Sequence, residues 1–165
     1  MREINVSLVE QAVCDMCILA NKRLPEDLEE RIHLCTGCEC DELPASIMKS
    51  LEDNIAAAKE LDIPVCQDTG MAVIFLEIGQ DVHLVGGSLR EAVDEGVRRG
   101  YGKGYLRKAV GAEPVRRGNT GDNTTAMLYT EIVDGENVKI TVAPKGFGSE
   151  NMSAIRMFKP SAGLQ

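Results

Sequence analysis

Apolar and polar positions alternate along this chain with two different periods, and the change of period divides it. Across residues 5–19 the apolar positions Val6, Val9, Val13, Cys17 and Ile18 recur at helical spacing, with Ser7, Glu10, Gln11 and Asp15 between them. That pattern predicts an amphipathic helix. A second helix is expected from Pro25 to about Leu34, because proline's fixed φ suits a first turn and Glu26, Asp27, Glu29 and Glu30 complement its positive end. A third opens at Leu43-Pro44, lines one face with Ile47, Leu51, Ile55, Ala58 and Leu61, and is blocked by Pro64.

After Gly70 the texture becomes β-like. The run 71–78 is β-branched and apolar, and Gly79-Gln80 leads into 81–85, which predicts a β-hairpin ended by Gly86-Gly87. Ser88 is a good N-cap for a helix carrying Leu89, Ala92, Val93 and Val97, and Gly100, Gly102 and Gly104 are expected to interrupt it. Residues 125–133 and 137–143 read as two more strands joined through the turn dipeptide Asp134-Gly135. A glycine-rich loop and a short helix from about Asn151 follow. The expected class is α+β: a helical N-terminal third, then a small, mostly antiparallel sheet packed with helices.

Composition refines this picture only in places. The chain has 165 residues, 44% of them hydrophobic and 27% charged, within the range of one ordinary domain, so 1–165 is read as a single domain. The ending FKPSAGLQ is a loop signal with no element after it, which predicts a truncated domain. Only 4% of residues are aromatic, so the core must be aliphatic. A formal charge of −8 argues against nucleic acid or anionic membrane as partner. The basic residues Arg98, Arg99, Lys103, Arg107, Lys108, Arg116 and Arg117 cluster nonetheless, leaving room for a local anion site. No apolar run reaches the roughly 18 residues of a membrane span and the start MREINVSLVEQ does not read as a signal peptide, so the expected location is cytoplasmic. Six cysteines in such a chain read as thiols or metal ligands rather than disulfides.

Three segments could carry chemistry. PVCQDTG at 64–70 puts a thiol, an amide, a carboxylate and a hydroxyl together between a helix end and a strand start; Cys66 could ligate a soft metal and Asp68 could move a proton. The same residues also make an ordinary capped turn around a buried cysteine. PKGFGSEN at 144–151 is a glycine loop between strand and helix whose amides could hold a carboxylate or phosphate, or simply turn the chain. RGNTGDN at 117–123 reads best as a solvated connection. Cys14, Cys17, Cys35, Cys38 and Cys40 have spacings that a zinc or iron-sulfur site can use, although Cys14 and Cys17 share a helix face and read more readily as small core residues.

PVCQDTG followed about eighty residues later by KGFGSENMS resembles the class I fumarase and tartrate dehydratase α-subunit family, and GYLRKAV, RGNTGDN and NKRLPEDLEERI extend the likeness over nearly the whole chain. The resemblance implies a hydro-lyase that reversibly adds water to a small dicarboxylate, with a 4Fe-4S cluster held by three cysteines and one iron open to substrate. It implies Cys66 as the first cluster ligand, Gln67 and Asp68 beside substrate, with Asp68 in or near the proton-transfer relay. Arg107 resembles the arginine that grips a substrate carboxylate, and Gly146, Gly148 and Ser149 the loop whose amides approach substrate. Phe147 departs from the family's commoner third glycine. The family's second and third cluster cysteines lie beyond residue 165, while the other five cysteines precede Cys66 and match no ligand motif. By this resemblance the chain needs a β subunit or C-terminal domain and belongs to a homo- or hetero-oligomer. The competing readings are a metal-binding or interaction module built on the five N-terminal cysteines, and an acidic α+β domain with no site.

Overall fold

The computed structural model describes residues 1–148 and 153–163. Strand β1 (Arg2–Asn5) opens the chain and leads directly into α1 (Val6–Lys22), followed by α2 (Glu26–Cys38) and α3 (Glu42–Leu61). Then come β2 (Met71–Gly79), β3 (Val82–Val85), α4 (Leu89–Lys103), β4 (Met127–Val133), β5 (Val138–Lys145) and a short 3-10 turn at Pro160–Ala162. The α+β class and the helical N-terminal third are as expected. No helix among the described residues is long and apolar enough to cross a membrane. Strand β1 was not foreseen, and Asn5, read as the first helical residue, instead caps α1 by accepting from the Ser7 amide at 2.9 Å.

The strands form where expected but pair differently. β2 is the central strand of a three-stranded sheet of order β4-β2-β5, parallel to β4 and antiparallel to β5, while β3 pairs in parallel with β1. The predicted hairpin does not form, the two strands joined through Asp134-Gly135 lie on either side of β2, and two of the three strand pairings are parallel. The reason lies in the two turns. Gly79, Gln80 and Asp81 donate their amides to the carbonyls of Asn137, Val133 and Gly135 at 2.7–2.9 Å, so the first turn is bonded to the second rather than closing on itself. This stacking inserts β2 between β4 and β5 and sends β3 away to β1. A Cβ on Gly79 would come within 2.4 Å of the Gly135 carbonyl oxygen, so glycine is required there.

The core lies on one face of this sheet. Ala72, Ile74, Leu76 and Ile78 alternate along β2 to meet Val9, Val13 and Cys17 of α1 and Val93, Val97 and Tyr101 of α4, with Leu106 and Ala126 completing the cluster. On the opposite face the rings of Phe75 and Tyr129 stack 5.2 Å apart.

Helix α4 runs past Gly100 and Gly102, two of the glycines expected to interrupt it, and ends at the third, Gly104, which is its C-cap. Gly96, Gly100 and Gly104 recur every fourth residue; a Cβ on Gly96 would lie 2.6 Å from the Glu10 carbonyl oxygen, and one on Gly100 2.8 Å from that of Cys14. They let the backbones of α1 and α4 approach, and tertiary packing outweighs their weak helix propensity. The α2–α3 pair behaves otherwise. Of the apolar face expected along α3 only Ala58 is buried, while Ile47, Leu51 and Leu61 remain exposed. The helix expected from about Asn151 lies partly outside the described residues, and 153–159 are not helical.

Candidate active site

The site is assembled around the start of β2. Upstream of it, the Val65 amide donates to the Asn21 carbonyl at 3.0 Å and the Asn54 side-chain amide donates to the Val65 carbonyl at 2.8 Å, tying the segment to α1 and α3. Gly70 then turns the chain with φ +61, and a Cβ there would sit 1.9 Å from the Lys145 carbonyl oxygen. Only glycine can occupy this position, because the start of β2 and the end of β5 touch backbone to backbone. That contact brings PVCQDTG beside KGFG.

Asp68 joins the two loops. Its Oδ2 accepts from the amides of Phe147 at 2.9 Å and Gly148 at 3.0 Å. The Gly148 amide, helped by those of Phe147 and Gly70 and by the charge of Arg107, holds the Asp68 carboxyl below the usual carboxylate range against an opposing effect of burial. A Cβ on Gly146 would lie 2.9 Å from Oδ2, so the glycine there makes room for the carboxylate. Phe147, the departure from the family pattern, contributes its backbone to this contact.

Cys66, Gln67, Thr69 and Arg107 line one cleft of about 370 Å³, with Ile63, Pro64 and Tyr105 as its apolar walls. The exposed Cys66 thiol faces the Gln67 side-chain oxygen at 3.5 Å and accepts from the Asp68 amide at 3.4 Å. Of the residues singled out in the sequence, Cys66, Gln67, Asp68, Arg107, Gly146 and Gly148 are thus brought together. Ser149 lies outside the described residues.

Tyr101 escaped the sequence reading, and Thr69 and Asn123 entered it only as members of PVCQDTG and RGNTGDN, without the supporting roles they have here. The Thr69 hydroxyl donates to the Arg107 carbonyl at 2.9 Å, and the buried Tyr101 hydroxyl donates to the Thr69 carbonyl at 2.8 Å. Asn123, wholly buried, donates to the Gly70 carbonyl and accepts from the amides of Ala109 and Val110. RGNTGDN is therefore more than a solvated connection. The Asn119 side chain donates to the Lys108 carbonyl, and the Thr120 amide to that of Val110, strapping the segment that carries Arg107. A buried polar residue at a positive φ leaves little trace in a single sequence, since Asn in a Gly-rich stretch reads as a turn.

Two members of the basic cluster are engaged in ion pairs. Arg98 pairs with Glu95 and Asp122, and Arg99 with Glu10, whereas Arg107 faces the cleft. The five other cysteines are divided between environments. Cys14 and Cys17 are buried in α1, where burial pushes the Cys17 thiol up to about 12, while Cys35, Cys38 and Cys40 are exposed at the end of α2 and just beyond. Among the described residues no group of three or more His, Cys, Asp or Glu side chains is placed to hold a metal ion.

The sequence model of the fumarate hydratase (Fumerase) family matches residues 10–165. The chain belongs to that family. It is 34% identical over 149 residues to a protein of Methanocaldococcus jannaschii provisionally named L(+)-tartrate dehydratase subunit alpha, a match covering 86% of this chain and 52% of that relative. It is 25% identical over 164 residues to the L(+)-tartrate dehydratase subunit alpha of Escherichia coli K12, covering 97% of this chain and 54% of the relative. This member of the fumarate hydratase family thus spans about half the length of the curated relatives it matches.

Proposed function

We propose that this chain supplies one wall of the active site of an iron-sulfur hydro-lyase that reversibly hydrates a small dicarboxylate of the fumarate/malate or tartrate type. One observation carries the reading: a thiol, an amide and a guanidinium line a single cleft beside a carboxylate fixed by two backbone amides.

Cys66 fits the family's cluster as one thiolate ligand, being exposed, free of a disulfide and part of the cleft lining. By the family resemblance the two remaining ligands belong to the same subunit, in sequence beyond residue 165. Lewis-acid assistance to C–O bond cleavage is what a bound 4Fe-4S cluster contributes here. Arg107 grips a substrate carboxylate, its planar guanidinium offering two parallel donors. Gln67 offers an amide to a second polar group of the substrate. Asp68, held by the Phe147 and Gly148 amides, takes a proton from the water that adds to carbon in the hydration direction and returns it to the departing hydroxyl in the reverse direction, while a group on the other wall gives the proton to, or takes it from, the neighbouring carbon. The Gly146–Gly148 turn keeps that carboxylate from swinging out of register.

Turnover of malate, fumarate and L-tartrate by the assembled enzyme, reconstituted with iron and sulfide, tests this. Interconversion of malate and fumarate, or dehydration of tartrate, is the expected result. An enzyme that takes up the cluster and turns over none of these substrates overturns the assignment.

A further inference from the structure

We propose that Asn123 is a positioning residue that locks the Arg107 segment to the Cys66–Asp68 loop, so that the substrate grip and the reacting groups hold one register. This inference deepens the hydro-lyase reading above and rests on it.

The side chain of Asn123 is 0% exposed and makes three bonds to two separate segments. Its Oδ1 accepts from the Ala109 amide at 2.8 Å and the Val110 amide at 3.2 Å, and its Nδ2 donates to the Gly70 carbonyl at 3.0 Å. Only this orientation of the amide satisfies two donors on one side and an acceptor on the other, and no other neutral side chain of this length offers both. Its backbone has φ 64, a region that asparagine tolerates better than most residues. Both segments it joins end in site residues. Ala109 and Val110 follow Arg107 by two and three positions, and Gly70 follows Asp68 by two. Tyr101 adds a second tie, since its hydroxyl holds the Thr69 carbonyl and lies against the amides of Asn21 and Asn123. Thr69 in turn holds the Arg107 carbonyl, so the two segments are bonded both through Asn123 and directly. A buried network in which every group is satisfied specifies one geometry, and a displacement of about 1 Å in a positioning element can cost about a hundredfold in rate.

Two variants separate positioning from folding. Asn123→Asp keeps the shape and the acceptor but sets a carboxylate oxygen against the Gly70 carbonyl; burial and that contact favour the protonated form, which donates as asparagine does. Asn123→Gly suits the positive φ and removes the side chain. In the assembled enzyme, Asn123→Asp is expected to lower kcat about tenfold or more and to raise KM at the alkaline end of the activity range, where the new carboxyl is ionised, with the ratio of variant to parent kcat recovering as the pH is lowered and the carboxyl takes up its proton. Rates of Cys66 alkylation, read by mass spectrometry against Cys35 and Cys38 in the same molecules, are expected to change severalfold in Asn123→Gly while the two reference thiols keep their rates. Parent-like kcat, KM and Cys66 reactivity in folded variants overturn the proposal, as does failure of both variants to fold, which would make the role purely structural. A parent enzyme with no hydro-lyase activity sinks the functional reading instead, and the thiol comparison then still decides the clamp.

Discussion

The Tyr101 hydroxyl, near the end of α4, donates to the Thr69 carbonyl at 2.8 Å, joining the helical layer to the loop that carries Cys66 and Asp68. Thr69 is 2% exposed, so water cannot replace the bond if it is lost. Burial raises the Tyr101 phenol above its ordinary range, which keeps it protonated and donating at every physiological pH. Tyr101→Phe leaves the ring's packing but orphans the carbonyl. The expected loss is about 1–2 kcal/mol of unfolding free energy, measured by urea denaturation. A variant as stable as the parent would show that the Thr69 carbonyl finds another partner.

Gly100 presents a contest between two effects of known size. Alanine in a helix interior is favoured over glycine by about 1 kcal/mol. Against this, a Cβ at 100 would meet the Cys14 carbonyl oxygen at 2.8 Å and Cys17 Cβ at 3.0 Å, both on a packed helix that cannot yield cheaply. Overpacking of this kind costs about 1–3 kcal/mol, and contact with backbone puts it at the upper end. Gly100→Ala is therefore expected to destabilise the protein by about 1–2 kcal/mol net, whereas Gly102→Ala, where a Cβ meets nothing within 4 Å, should stabilise it. Thermal unfolding of the two variants side by side checks the opposite signs.

This contest also shows where the sequence was legible. Helix and strand placement followed from local period and capping, and Val9, Val13, Ile74, Val93 and Val97 fell inside as their spacing demanded. Strand pairing did not follow, because Asp134-Gly135 and Gly79-Gln80 are both sound turn dipeptides, yet the amides of the first turn donate to carbonyls of the second. Likewise Gly100 reads as a break because its value is a contact with α1, some eighty residues away. The candidate site was legible where a short string held several reactive groups, as at PVCQDTG. Its supports at Tyr101 and Asn123 were not, since each acts through a carbonyl or amide that has no side-chain signature.

For the proposed hydro-lyase, Arg107→Lys tests the carboxylate grip. Lysine keeps the charge and loses the planar fork, and a charge-assisted bond of this type is worth about 1.5–3 kcal/mol. KM for the dicarboxylate is expected to rise about tenfold to a hundredfold with a smaller change in kcat, measured by steady-state kinetics on the assembled enzyme. An unchanged KM would remove Arg107 from the substrate contacts and leave its backbone, held by Thr69, as its only part in the site.

Asp122 sets the acid sensitivity of the loop next to Asn123. Its Oδ1 accepts from the Thr124 hydroxyl at 2.7 Å and the Thr124 amide at 3.0 Å, and its Oδ2 from Arg98 Nε at 3.0 Å. The Thr124 hydroxyl first, then its amide and Arg98, lower this carboxyl from 3.8 to about 2. A depressed carboxyl stabilises the fold fully above its unfolded pKa, near 4, and loses that contribution as the pH falls through its folded value. The side chain is 27% exposed, so solvent screening reduces the effect to about 1 kcal/mol. Asp122→Asn should thus be less stable than the parent by about that amount at neutral pH, with the difference shrinking as the pH falls from about 4 toward 2. Denaturant titrations at neutral pH and near pH 2.5 measure both gaps, and a difference that persists undiminished in acid would mean that the loop is held by packing rather than by this charge.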